Sequence, residues 1–158
     1  FRQKQMPELT VSAGGLKRIR SNFPVEITNE DTLNIDRLSI VISGRGSFTE
    51  CDLTVNAGHL GLSAYGSNVG DHHLSGKTGL LKIVSKGLTS VDALDLIADK
   101  VIYHQGSVNP GYVNAVNELN VEMKSSGNVY YHGSPKTEIK SAEPFYKVEL
   151  GDVIEYTP

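Results

Sequence analysis

Over Leu119–Gly133 (LNVEMKSSGNVYYHG), Leu119, Val121 and Met123 alternate with polar residues. In an extended chain that places three apolar side chains on one face. Ser125, Ser126 and Gly127 break the run, and Asn128–Tyr131 begins a second short extended piece. The same phrase recurs upstream in degraded form, each time closed by a glycine: Gly46, Gly66, Gly87, Gly106 and Gly127, spaced by 20, 21, 19 and 21 residues. Six and four residues before the glycine stand Ile40 and Ile42, Leu60 and Leu62, Leu81 and Ile83, and Val121 and Met123. In the Gly106 unit, Val101 and Tyr103 take these places one residue nearer. A second apolar anchor follows each glycine: Leu53 with Val55, Leu74, Leu94 with Leu96, and Val113 with Ala115.

Gly, Ser, Asn and Asp recur too often to leave a window for a stable amphipathic helix. Thr89–Lys100 (TSVDALDLIADK) has a possible cap in Ser90 or Asp92, but its Leu94 and Leu96 alternate as Leu53 and Val55 do, which predicts strand. Antiparallel hairpins would show two-residue Asn-Gly or Asp-Gly turns, and the chain has none. A constant period with like residues at like positions instead predicts turns stacked on one another. The fold class expected is therefore all-β: a right-handed, single-stranded parallel β-helix with turns of about 20 residues. Ile40, Leu60, Leu81, Val101 and Val121 would form one interior column. Seven or so turns would make a rod about 35 Å long.

One domain over residues 1–158 is expected, with irregular turns or a cap over 1–36, regular turns over 37–133 and a C-terminal cap over 134–158. Leu33 and Ile35 occupy second-anchor places, and Leu9 with Val11 and Val25 with Ile27 look like strands. Ser134-Pro135 is expected to stop the ladder, because proline has no amide proton to donate. Phe145–Tyr156 then reads as one or two capping strands with aromatic cover.

The chain has 39% hydrophobic and 21% charged residues, as a soluble globular protein does. A net charge of only −3 gives no sign of a nucleic-acid partner or an anionic membrane surface. No apolar run is long enough for a membrane span. The single cysteine, Cys51, excludes an internal disulfide and is expected to be buried. The chain starts at Phe1 without a signal-peptide core, as expected of a cytoplasmic protein or of a mature or trimmed form.

At Leu38–Gly46 (LSIVISGRG), and above all at Asn114–Lys136 (NAVNELNVEMKSSGNVYYHGSPK), the sequence resembles the head GIN domain family, catalogued as auto-transporter adhesins. The resemblance runs over roughly residues 30–147, is thin before residue 36, and is most specific at Asn128-Val129-Tyr130-Tyr131-x-Gly133-x-Pro135-Lys136. Arg45 and Tyr65 stand where the family phrase has serine. The resemblance implies a right-handed parallel β-helix on an exported protein of the periplasm or cell surface, often lipid-anchored. It implies no catalytic residue and no cofactor.

Carboxylates at Asp52, Asp71, Asp92 and Asp95 raise the alternative of a carbohydrate-active enzyme on the same scaffold, a hydrolase or lyase. Glycoside hydrolysis needs two carboxylates about 5–10 Å apart, and alternate turns would place Asp52 and Asp92 at about that separation. No lysine or arginine recurs beside them, which favours solvated turn residues. His59, His72, His73, His104 and His132 are scattered; His72 and His73 would face opposite sides of a strand, so they are read as surface residues and no metal site is expected. The stacked Ser, Asn and Gly turns are read as structural, and the nonapeptide period of calcium-binding β-rolls is absent.

Tyrosines concentrate towards the C-terminal half. Tyr65, Tyr112, Tyr130 and Tyr146 are the candidate binding residues, since tyrosine offers a flat apolar face and a hydroxyl. Tyr103 and Tyr131 are expected to fill the core. The expected activity is non-catalytic cell-surface adhesion or binding of a surface glycan or protein, with homo-oligomers through the rod ends as a further possibility.

Overall fold

A computed structural model describes residues 8–44, 48–142 and 149–157, and all the regular structure among them is β. The strands are β1 (Arg18–Ser21), β2 (Val25–Thr28), β3 (Leu33–Ile42), β4 (Thr49–Ala64), β5 (Val69–Ser107), β6 (Gly111–Met123), β7 (Val129–His132), β8 (Lys136–Ser141) and β9 (Val153–Glu155). Every pair between these strands is parallel, and the chain winds as a β-solenoid of about 6 turns with a spacing of about 21 residues. The predicted fold class is the observed one. The Thr89–Lys100 segment is strand, inside β5.

Each turn carries two inward runs of alternating residues. In the first, Leu38 pairs with Leu60 and Ile40 with Leu62; Leu60 then pairs with Leu81, and Leu62 with Ile83. Val101 pairs with Leu119, and Tyr103 with Val121. In the second run, Cys51 pairs with His72 and Leu53 with Leu74, and later Gly111 with Val129. These side chains are almost wholly shut off from solvent and form one continuous core. A turn alone would leave both of its apolar flanks in water, so stability comes from the stacking.

The expected column is right at Leu60 and Leu81 but two residues out of step at its ends. Ile40 lies beside Leu62, and Val121 beside Tyr103. The closing glycine is not a fixed mark, because the corners differ in length: Leu38 to Leu60 spans 22 residues, Leu60 to Leu81 21, and Val101 to Leu119 18. A slip by two keeps the same side chains inward, whereas a slip by one would turn them out.

Other expectations need correction. Leu94 is not an inward anchor: Ala93 takes that place, a register shift separates Ala93 from Ile97, and Leu96 re-enters the core beyond it. Pro135 does not end the ladder, since β8 begins at the next residue and pairs with β6. Its missing amide proton falls just before the strand, where the ladder does not need it. Leu9 and Val11 lie outside any strand and are exposed, Leu9 at 85%, while β1 was not foreseen. Gly46 and the Phe145–Tyr146 cover lie outside the described residues.

At the corners, Gly87 has φ 72°, a left-handed conformation open to glycine, and a Cβ there would stand 2.8 Å from the carbonyl oxygen of Gly66 one turn back. Inside, Gly111 makes room for its neighbour: a Cβ on it would lie 2.1 Å from the Tyr103 hydroxyl. Hydrogen bonds run along the rod between turns, from Asn56 Nδ2 to Asn34 Oδ1 at 3.1 Å and between the hydroxyls of Thr54 and Ser75 at 2.9 Å.

Buried Gln105 braces one corner from inside. Its Oε1 accepts from the Ser85 hydroxyl, and its Nε2 donates to the carbonyls of Asn109 at 2.9 Å and Asn128 at 3.4 Å. Oε1 also accepts from the Ser107 amide at 3.4 Å; Gln105→Leu removes all four bonds, so a loss of about 2–3 kcal/mol is expected in urea unfolding. An unchanged midpoint would show that the brace is dispensable.

His72 departs from the surface role expected of the histidines: it is 2% exposed, inside the rod beside Cys51. Its Nδ1 has no hydrogen-bond partner, and burial lowers its pKa from 6.5 to about 4, against a smaller opposing effect of Asp71. The unfolded chain therefore takes up a proton near pH 6.5 that the native chain refuses until about pH 4. The stability contributed by neutral His72 is complete above pH 6.5 and is lost as the pH falls to 4. Over that window the protein should lose on the order of 2–3 kcal/mol more than its His72→Leu variant. Parallel stability curves for the two would contradict the assignment.

Candidate ligand-binding face

The outward residues of the second run bring two of the four candidate tyrosines together. Parallel pairing puts Tyr112 of β6 beside Tyr130 of β7, and Asp92 of β5 beside Tyr112 on the other side. The Tyr112 and Tyr130 rings stack with centroids 4.9 Å apart and planes 13° from parallel. Tyr156, just past β9, meets Tyr112 edge-on, with centroids 6.2 Å apart at 79°. Asn128 Nδ2 donates to the Tyr130 hydroxyl at 3.1 Å, and His132 Nδ1 lies 3.3 Å from the Tyr156 carbonyl oxygen. Burial in this cluster, then the neighbouring Tyr130, Asp92 and Tyr156, push the Tyr112 phenol above its ordinary pKa.

The result is a ridge of three ordered rings carrying hydroxyls, flanked by the Asp92 carboxylate and the Asn114 amide. Asn114 is fixed by its own bond to the Leu94 carbonyl at 3.1 Å. Ring stacking holds the side chains in place before a ligand arrives, which lowers the entropy lost on binding. Tyr65 is not part of this ridge. It stands at a corner on the other run, 41% exposed, with the Lys86 ammonium 5.7 Å from its ring centre. Tyr146 lies outside the described residues. Tyr103 fills the core as expected, and Tyr131 packs against it, half-buried.

Sequence reading treated Tyr156 only as aromatic cover. The repeat is lost after Gly133, so its register against Tyr112 could not be counted forward. Pairing β7 with β9 is what places it.

Three of the four carboxylates considered for an enzyme have partners of their own. Asp71 accepts from the Ser90 hydroxyl, Asp92 from the Leu94 amide at 3.1 Å, and Asp95 lies 3.7 Å from His73. Asp52 pairs in the ladder with His73. Of two surface grooves, one is lined by a single carboxylate, Asp99, and the other by none. Among the described residues no cluster of three or more His, Cys, Asp or Glu is placed to hold a metal ion. Cys51 is buried, and burial pushes its thiol up to about 12, far from the range of a reactive thiolate.

The fold is a regular solenoid, and its outer face carries an ordered aromatic ridge rather than a cleft. In sequence the chain belongs to the head GIN domain family: the family described as "Putative auto-transporter adhesin, head GIN domain" matches residues 1–135, including the N-terminal turns where the resemblance looked thin. That description is of an adhesin-like head domain, a kind of protein that works at the cell surface. The chain matches no curated protein and no solved structure.

Proposed function

We propose that this chain is a non-catalytic, exported domain that acts in adhesion by binding a glycan along the tyrosine ridge. The observation that carries the reading is the preformed stack of Tyr112 on Tyr130, closed by Tyr156. Aromatic rings with hydroxyls, beside a carboxylate and an amide, suit the mixed apolar and hydroxylated surfaces of sugar rings. The adhesin description of the family supports the same reading and a place at the cell surface; in this reading the domain is exported and held there by a lipid anchor. A glycan array probed with the protein and with Tyr130→Ala tests it. Losing the stack should weaken the best glycan about tenfold, at the upper end of what an aromatic pair contributes. Equal binding by the two proteins, or none by either on a broad array, would sink the glycan reading; capture of protein ligands alone would replace it.

A second reading, end-to-end association, has its own observation. The outer edge of β8 is unpaired among the described strands, and Ile139, which follows Val121 in the interior column, is 52% exposed there. An uncovered parallel edge is a template for another strand. Light scattering across a concentration range should show dimers or longer rods that Ile139→Lys dissolves. A monomer at all concentrations would end this reading.

A further inference from the structure

On the side of the rod away from the tyrosine ridge, the outward residues of the first inward run form a shallow groove of about 330 Å³. Its positive charge comes from Lys82, Lys86 and Lys124, its lining also includes Ser63, His104 and Gly106, and Tyr65 stands at one end. The backbone that presents these groups is held firmly. The Tyr65 amide donates to the Ile42 carbonyl at 2.8 Å, the Asn68 side chain bonds the Tyr65 carbonyl, and the Lys124 amide donates to the Gln105 carbonyl at 2.8 Å. Ser63 pairs with Val84 across one ladder step and His104 with Glu122 across another, so the groove crosses four successive strands, about 14 Å along the rod.

The charges in the groove are unbalanced. Among the described residues Glu122 is the one carboxylate that pairs with the lining, bound by Lys124 at 2.9 Å and by His104 at 2.6 Å. Lys124 first, then His104, hold its carboxyl below the ordinary range. Among the described residues Lys82 and Lys86 make no ion pair, and Lys86 is held over the face of Tyr65. Three lysines against one carboxylate is a local reversal of sign on a chain whose net charge is −3. An arrangement of that kind concentrates anions at one place and repels them elsewhere.

We infer that this groove binds an anionic polysaccharide, a glycan chain carrying carboxylate or sulfate groups, lying along the rod axis. Lys82 and Lys86 on one turn and Lys124 two turns further on match a ligand whose charge repeats along a chain, and the Tyr65 ring offers a face to a sugar ring. The groove lacks the breadth and the number of basic residues that duplex nucleic acid requires, and it has no arginine among its lining residues. It also falls short of the cluster of four to eight basic residues that holds an anionic lipid surface. The inference uses a different face and different residues from the tyrosine ridge, so either can fail without the other.

The test is titration of the protein with polygalacturonate (carboxylated), dextran sulfate (sulfated) and neutral dextran, at low and at high salt, with duplex DNA and phosphatidylglycerol vesicles as competing probes. One or both charged polysaccharides should bind, more weakly as salt rises, and neutral dextran should not; the stronger of the two identifies the acid group. Lys82→Gln and Lys86→Gln should each weaken binding about two- to fivefold, whereas Lys77→Gln, the same change in net charge at another corner, should not. Glu122→Gln should strengthen binding about twofold by releasing Lys124 and His104, an effect that mere damage to the fold would not produce. The inference is overturned if neither charged polysaccharide binds, if Lys77→Gln matches the groove variants, or if DNA or vesicles bind as tightly.

Discussion

The aliphatic interior, stacked in register turn on turn, is the constraint from which the rest of this molecule follows. Parallel strands supply the backbone hydrogen bonds, but such bonds add little net stability over those made to water. The drive is the removal of Leu38, Ile40, Leu60, Leu62, Leu81, Ile83 and their neighbours from solvent. Each turn buries its apolar residues only against the turns beside it. Stability is therefore built along one dimension, and the surface repeats because the interior does.

That interior is not uniformly apolar. Thr49, His72, Thr89 and Gln105 are all buried within it. Gln105 is satisfied and ties the Ser85 hydroxyl to the backbone at Asn109 and Asn128. The Thr49 and Thr89 hydroxyls and His72 Nδ1 are not, and each such group carries a desolvation penalty. They are tolerated because the long aliphatic columns around them offset that penalty. The bulge at Leu94 has a similar character: the strand gives up an inward leucine there, yet Leu96 restores the pattern within two residues.

Stacking also explains why recognition chemistry collects in lines. Residues equivalent by register lie a strand spacing apart, so aromatic rings at one position become a stack. The tyrosine ridge and the lysine groove arise from the same repeat on different sides of the rod. Neither requires a cleft. Glu122 is held between Lys124 and His104 at one end of the groove.

The sequence by itself determined the winding, because alternation with period two inside a beat of about twenty residues has few ways to bury its apolar set. It also placed Tyr103 in the core and singled out Tyr112 and Tyr130. Exact register was beyond it. Corners of unequal length shift the ladder by two residues without exposing an apolar side chain, so Ile40 could be set against Leu60 with no visible penalty. Only the folded chain decided that Ile40 meets Leu62, that His72 lies inside, that a strand follows Pro135 and that Tyr156 completes the ridge. Those outcomes depend on contacts between turns, which local pattern does not encode once the repeat becomes irregular.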